Sequence, residues 1–341
     1  MNLVSGQIVM PLFVFLMIFQ CYFSVGIAED CGGKEIAYSI TVGQSGKFKT
    51  VQAAVDSISR NNARWVKIHI HQGKYLEKVQ IPKDKPCILL EGEGRRVTTI
   101  TYNDHQQTDT SATFTSFPNN VIVVGITFEN SFDLSTESRL EQNARVVPAL
   151  ATRIYGDRSA FLDCGFLGFQ DTLWDVQGRH YFKNCYIQGA VDFIFGNGQS
   201  YFENCYVNVT LSTRSSVGVP WGCITAQGRR SEKEASGFVF GGGRVVGTGP
   251  VLLGRAYGPY SRVIFHGTFL DSLVSPQGWD AWHYTQHKGN LMYAEVGCEG
   301  PGATLGKRVP WETKLSASKL NHQFSKSSFI NQDGWLANLP N

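Results

Sequence analysis

The chain has 341 residues, of which 42% are hydrophobic and 17% charged, and its formal net charge is +3. That length is ample for one large core, and there is no lysine- and arginine-dense stripe of the kind that binds nucleic acid. No segment beyond residue 28 is apolar enough to span a bilayer, no Gly-x-Ser-x-Gly elbow suggests a serine hydrolase, and no Cys-x-x-Cys or Cys/His cluster suggests zinc.

Residues 8–19 form a 12-residue apolar run, followed by Gly26-Ile-Ala28. The run has the length of a secretory h-region and is short for a membrane span, so residues 1–28 read as a cleaved signal peptide rather than a signal anchor. No Lys or Arg precedes Lys34, which reduces the basic n-region to the terminal amine. Residues 29–341 read as one domain of a secreted protein. Seven cysteines remain in it, Cys31, Cys87, Cys164, Cys185, Cys205, Cys223 and Cys298, and an odd number leaves at least one thiol unpaired within the chain.

From Thr50, a residue suited to an N-cap, the positions Val51, Ala54, Val55 and Ile58 follow helical spacing. A short amphipathic helix here would cover the open end of a solenoid. Strands are expected at Val66–Ile70, Cys87–Glu91 and Val97–Thr101, and a buried strand at Val121–Ile126. His69 and His71 alternate with Ile68 and Ile70, which reads as a solvated strand face. The excursion from Phe132 to Val147 is long for a connection, and such loops on a solenoid shape grooves.

Residues 159–212 then say nearly the same thing three times. Ser159-Ala-Phe161-Leu-Asp163-Cys164 is followed by Arg179-His-Tyr181-Phe182-Lys-Asn184-Cys185 and by Gln199-Ser-Tyr201-Phe202-Glu-Asn204-Cys205, with cysteines 21 and 20 residues apart. Ile126-Thr-Phe128-Glu-Asn130-Ser131 is a weaker copy. A period near 20 in units rich in Phe, Tyr, Val and Ile predicts an all-β fold, a right-handed parallel β-helix with short capping helices. The repeated cysteines are free to be an inward ladder of small apolar residues.

Asp171 lies seven residues after Cys164 and Asp192 seven after Cys185, so stacked cysteines imply stacked aspartates about 4.8 Å apart. Two carboxylates at that distance repel by about 3 kcal/mol at an effective dielectric near 20, enough to split their pKa values by about two units. One would stay ionised and the other hold a proton, a nucleophile and a general acid made from the same side chain. The same separation suits a retaining glycosidase. At the third copy the equivalent position is Ser212, so the acidic stack stops at two. Asn208-Val-Thr210 is the only N-glycosylation sequon, and Ser316-Ala-Ser-Lys-Leu-Asn-His suggests a short helix folding back on the solenoid.

Gln-Asp-Thr-Leu at 170–173, Asp-Phe-Ile-Phe-Gly at 192–196, Gly73-Lys-Tyr75-Leu-Glu77, Thr225-Ala-Gln-Gly-Arg229 and Leu253-Gly-Arg255 together resemble the plant pectin methylesterases, in family order from about Ile40 to Leu336. The short stretch after Ala28 leaves no room for a helical inhibitor-like pro-region, so the chain resembles the short class. The resemblance implies hydrolysis of methyl esters on polygalacturonate without cofactor or metal. Asp192 would be the nucleophile held by Arg255, Gln170 the oxyanion donor and Asp171 the acid and then the base. It also implies pectin contacts from Trp174, Phe195, Tyr257, Trp279 and Thr113, monomeric action outside the cell at the wall, and a proteinaceous inhibitor as partner, with no role for membrane or nucleic acid. Trp282 resembles the same aromatic groove wall, with core packing as its open alternative. The sequence departs from the family at Pro148, which stands where relatives carry a second oxyanion glutamine. Losing such a donor costs about 100- to 1,000-fold in rate elsewhere, which leaves a weak or inactive pectin-binding relative as the alternative. At Tyr257 the family has Trp.

Overall fold

The computed structural model describes residues 31–132, 147–211 and 221–340. Residues 1–28, expected to be a signal peptide, together with Ser212 and most of the excursion after Phe132, lie outside the described residues. The chain winds into a right-handed parallel β-helix whose three parallel sheets have ten, eight and eight strands among the described residues. One coil shows the plan: Arg179–Lys183 lies in the first sheet, Tyr186–Gly189 in the second and Val191–Gly196 in the third. Gln199–Glu203 then returns to the first sheet, directly on Arg179–Lys183.

The repeated Asn-Cys pairs are explained by the corner between the first and second sheets. Asp163, Asn184 and Asn204 stand there with φ of 52°, 55° and 52°. Asn and Asp tolerate the left-handed region better than other residues with a Cβ, and Gly125, Gly242, Gly267 and Gly297 occupy the same corner of other coils. The residue after the corner points inward. Cys164, Cys185 and Cys205 fill that place as free thiols, donating to the carbonyls of Val123, Phe161 and Phe182 one coil back. Cys298 repeats the arrangement on Phe265. The inward ladder that the sequence left open is therefore present for all three repeat cysteines, with Cys298 as a further rung. Cys31 pairs with Cys87, so the described residues hold one disulfide and five thiols, Cys223 being the fifth.

The core follows from the same register. Phe161, Phe182, Phe202, Phe240 and Phe265 stack coil on coil at centroid spacings of 5.2, 4.5, 4.4 and 4.3 Å, a continuous aromatic column inside the first sheet. At the N-terminal end the helix Val51–Asp56 buries Val51, Ala54 and Val55, with Thr50 Oγ1 accepting from Ala53 N. Glu77 accepts from Val51 N and Gln52 N at 2.8 and 2.9 Å, so the Gly-Lys-Tyr-Leu-Glu motif serves as scaffold that caps this helix. The expected strands appear as Trp65–Ile70, Ile88–Gly92 and Thr98–Tyr102. The C-terminal helix Ala317–Phe324, capped by Ser316, lays Leu320 and Phe324 over the outer face of the first sheet.

A second tie links neighbouring coils. His180 is fully buried, with Nδ1 2.5 Å from Asp175 Oδ1 and Nε2 2.8 Å from the Gly156 carbonyl, and Ser200 Oγ donates to the other Asp175 oxygen. Both ring nitrogens face acceptors. Burial pushes the His180 pKa down, but the Asp175 charge and hydrogen bond outweigh it and the net shift is upward.

Candidate active site

The third sheet presents its outer face to a cleft of about 700 Å³. The floor is apolar: Phe195 and Ala226 are buried beside Ala112 and Leu150, and Trp174 stacks on Phe195 at 5.3 Å. Trp174 and Phe195 are register partners on adjacent strands, as are Phe195 and Ala226, and Ala226 and Arg255. The floor and the arginine are thus held by backbone ladders on four successive coils.

Gln170 bridges to Val191 and Leu173 pairs with Ile194, both offsets being 21 residues, so the register sets Asp171 beside Asp192. Asp171 N donates to Val191 O at 3.1 Å. Both aspartates have left-handed backbones, with φ of 60° and 49°. Such conformations concentrate where side chains must be aimed against local preference. Gly196, ending the Asp-Phe-Ile-Phe-Gly motif, has φ +120°, and a Cβ there would stand 2.0 Å from Asp175 O, so no other residue fits.

The two carboxyls are both buried, yet their surroundings differ. Arg255 Nε lies 2.8 Å from Asp192 Oδ1 and its Nη2 donates to Oδ2, a bidentate clamp. The Asp171 pKa is pushed from the ordinary 3.8 up to about 8 by burial and by the Asp192 charge, against the opposing influence of Arg255 and a hydrogen bond from Gln170. Burial also raises Asp192, while the Arg255 hydrogen bonds and charge and the Cys223 thiol work against it. With a guanidinium on Asp192 and none on Asp171, the pair carries its negative charge on Asp192 and its proton on Asp171 at neutral pH. The spacing alone predicts only that the two carboxyls differ; the guanidinium sets which of them holds the charge.

The aromatic assignments need correction. Trp279 is fully buried, stacked on Tyr293 at 4.7 Å, and plays no part in the cleft. In the strand Trp279–Asp280, Asp280 pairs with Arg255 on the outward face, so alternation turns Trp279 inward, over Gly254. Trp282, left open between groove wall and core, lines the cleft with Arg255 stacked 4.0 Å over its ring and Tyr257 at 6.2 Å. Thr113 is also corrected. It is fully buried and donates to the Glu129 carbonyl at 2.9 Å, which leaves nothing for a substrate. Trp174, Phe195 and Tyr257 do line the cleft, together with Gln107, Thr108 and Asp109, which carry no periodic signal in the sequence. Arg153, stacked 4.6 Å over Trp174, was signalled only by its outward phase in the strand Thr152–Ile154. Pro148 is half-buried next to Ala149, whose N–H donates to the Gln170 carbonyl at 3.2 Å. Asn208 is half-buried in the strand Tyr206–Thr210, with its amide on Gln188 at 3.3 Å.

A parallel β-helix with two register-paired aspartates under one arginine is the framework of a carboxylic ester hydrolase. The pectinesterase family model matches residues 38–333. Probable pectinesterase 29 of Arabidopsis thaliana is 46% identical over 295 residues, covering 86% of this chain and 87% of that protein. Putative pectinesterase 10 of the same plant is 46% identical over 321 residues, covering 92% of each. The structure of pectin methylesterase from carrot superposes with a TM-score of 0.80 at 30% identity, covering 87% of this chain and 94% of the other. The chain belongs to the pectinesterase family.

Proposed function

We propose that the protein hydrolyses methyl esters of homogalacturonan at the plant cell wall by a two-aspartate mechanism. The observation that carries this reading is the asymmetry of the acid pair, with Arg255 clamped on Asp192 and Asp171 raised to about 8. Asp192 attacks the ester carbonyl carbon, and the oxyanion that forms is stabilised by the Gln170 amide. As the tetrahedral species collapses, Asp171 gives its proton to the departing methoxide, so methanol leaves and an acyl-enzyme anhydride remains on Asp192. Asp171, now a carboxylate, takes a proton from water, which attacks the acyl carbon and frees the uronate and Asp192. Trp174, Phe195, Tyr257 and Trp282 offer apolar faces to sugar rings along the cleft. Arg153 supplies a cation at its edge for uronates already freed of their methyl groups.

Secretion through cleavage after residue 28, use of the Asn208 sequon, monomeric action and docking of a proteinaceous inhibitor over the cleft belong to the same reading.

The test is methanol release from highly methylated pectin by the chain lacking residues 1–28, beside Asp192→Ala and Pro148→Gln. Release abolished by Asp192→Ala, without new reducing ends, supports the esterase reading and shows that Pro148 is tolerated. Silence rescued by Pro148→Gln identifies a decayed esterase, and silence in both with pectin binding retained identifies a binding protein. New reducing ends identify a glycosidase.

A further inference from the structure

The first sheet carries a cluster that the acid pair does not use. His69 is the register partner of Glu91, and His71 and Glu93 follow where the strands Trp65–Ile70 and Ile88–Gly92 end. His69 and His71 point to the same side of their chain, with ring centroids 5.0 Å apart. His69 Nε2 lies 3.5 Å and His71 Nδ1 2.9 Å from the same oxygen of Glu93, and one ligand atom from each of the three residues falls within 4.8 Å of the others.

The hydrogen bonds around this cluster leave an unmet demand for positive charge. A neutral imidazole has one N–H. His69 uses Nδ1 on Glu91 Oε2 at 3.1 Å, which turns the lone pair of Nε2 toward the Glu93 carboxylate. Glu91 is itself held by Lys67 at 3.1 Å. Glu93 is oriented through its other oxygen, which accepts from Gln72 N at 2.8 Å, so Oε1 faces both rings. An acceptor facing an acceptor at 3.5 Å is a geometry that a cation between them satisfies.

We propose that at neutral pH this place binds one divalent transition-metal ion of the zinc and copper class through His69 Nε2, His71 Nδ1 and Glu93 Oε1. Tetrahedral zinc bound at about 2.0–2.1 Å sets its ligand atoms roughly 3.3 Å apart; the two separations from Glu93 Oε1, 2.9 and 3.5 Å, bracket that value, and the two imidazole nitrogens lie within 4.8 Å of each other. The donor set, two imidazoles and one carboxylate, favours zinc or copper over calcium or magnesium. Glu91 completes a carboxylate–histidine–metal relay, the usual arrangement around a ligating imidazole. The cluster borders a cleft of about 610 Å³ that His71 and Glu93 line with Gln44, Lys49 and Tyr75. The metal clamps the ends of two strands near the start of the solenoid. The acid pair sits over the third sheet, so metal binding is read without reference to turnover.

The test is calorimetric titration of the untagged chain lacking residues 1–28, first freed of metal by a chelator, with zinc chloride at pH 7.5. One equivalent is expected to bind, His69→Gln and His71→Gln to abolish saturable binding, Glu91→Gln to weaken it about 10- to 100-fold, and His105→Gln to leave it unchanged. Copper(II) in the native chain, a measurement that needs no variant, is expected to give an electron paramagnetic resonance spectrum split by two imidazole nitrogens. A native chain without saturable binding, binding that survives both histidine substitutions, or a copper spectrum without nitrogen splitting overturns the proposal.

Discussion

Replacing Asp171 by Asn should stabilise the protein, and by an amount that depends on pH in a defined way. The folded chain holds Asp171 at about 8 against an ordinary 3.8. Folding therefore takes up a proton between those values, and the group's contribution is full below pH 3.8 and is lost as pH rises toward 8. At pH 7 the loss amounts to about 3 units at 1.36 kcal/mol each, or about 4 kcal/mol, and relaxation around the pair brings a measured value nearer about 2–4 kcal/mol. Asn has the same shape and takes up no proton. The difference in unfolding free energy between Asp171→Asn and the native chain should be near zero at pH 4, grow by up to about 1.4 kcal/mol per pH unit, and level off above pH 8. Urea titrations followed by tryptophan fluorescence at half-unit steps measure it, and methanol release should be lost throughout. A pH-independent difference, or a plateau reached by pH 5, would refute the assignment of the proton to Asp171.

The remaining expectations address other parts of the molecule. Trp279→Ala should cost about 3–5 kcal/mol in urea titration, as for a buried aromatic, whereas Trp282→Ala should cost about 1 kcal/mol or less and instead raise KM for pectin, because it removes the ring under Arg255. The reverse ranking would restore Trp279 to the groove. His180 is raised by Asp175, so its contribution is full below pH 6.5 and lost as pH rises through its folded value. In an Asp171→Asn background, stability should still fall above pH 6.5, and adding His180→Gln should flatten that fall. Thiol titration with a chromogenic disulfide, without reductant, should find Cys164, Cys185, Cys205 and Cys223 silent in the native chain lacking residues 1–28 and five thiols per chain in guanidinium. A count of three would indicate a second disulfide.

The solenoid could be read from the sequence because three consecutive coils spell the same corner with Asp or Asn before Cys. Elsewhere glycine takes the left-handed position at Gly125, Gly242, Gly267 and Gly297, and the inward residue after it varies, so those coils carry no visible repeat. The acid pair was legible for the same reason, since a fixed phase after the cysteine is a fixed place on the coil. Trp279 and Trp282 could not be told apart from the sequence because period-2 alternation cannot be phased in a strand of two residues followed by a 3₁₀ turn. The lining residues Gln107, Thr108 and Asp109 sit in a connection between strands, where no periodicity exists to reveal them. The Cys31–Cys87 pairing depends on tertiary proximity alone.

The corner between the second and third sheets differs from the left-handed one. It is crossed in a single residue between Gly189 and Val191, yet the chain takes eleven residues from Tyr102 to Phe114 and from Thr210 to Gly222, and a longer path from Asn130 to Thr152. Gln170, Asp171 and the lining residues Gln107, Thr108 and Asp109 all belong to this corner. One edge of the solenoid thus behaves as a ruler and another as a margin. Insertions along the margin can lengthen, narrow or recharge the walls of the cleft, while the thiol ladder and phenylalanine column keep every coil in step. Selectivity for stretches of polymer can therefore diverge among relatives with no atom of the acid pair displaced.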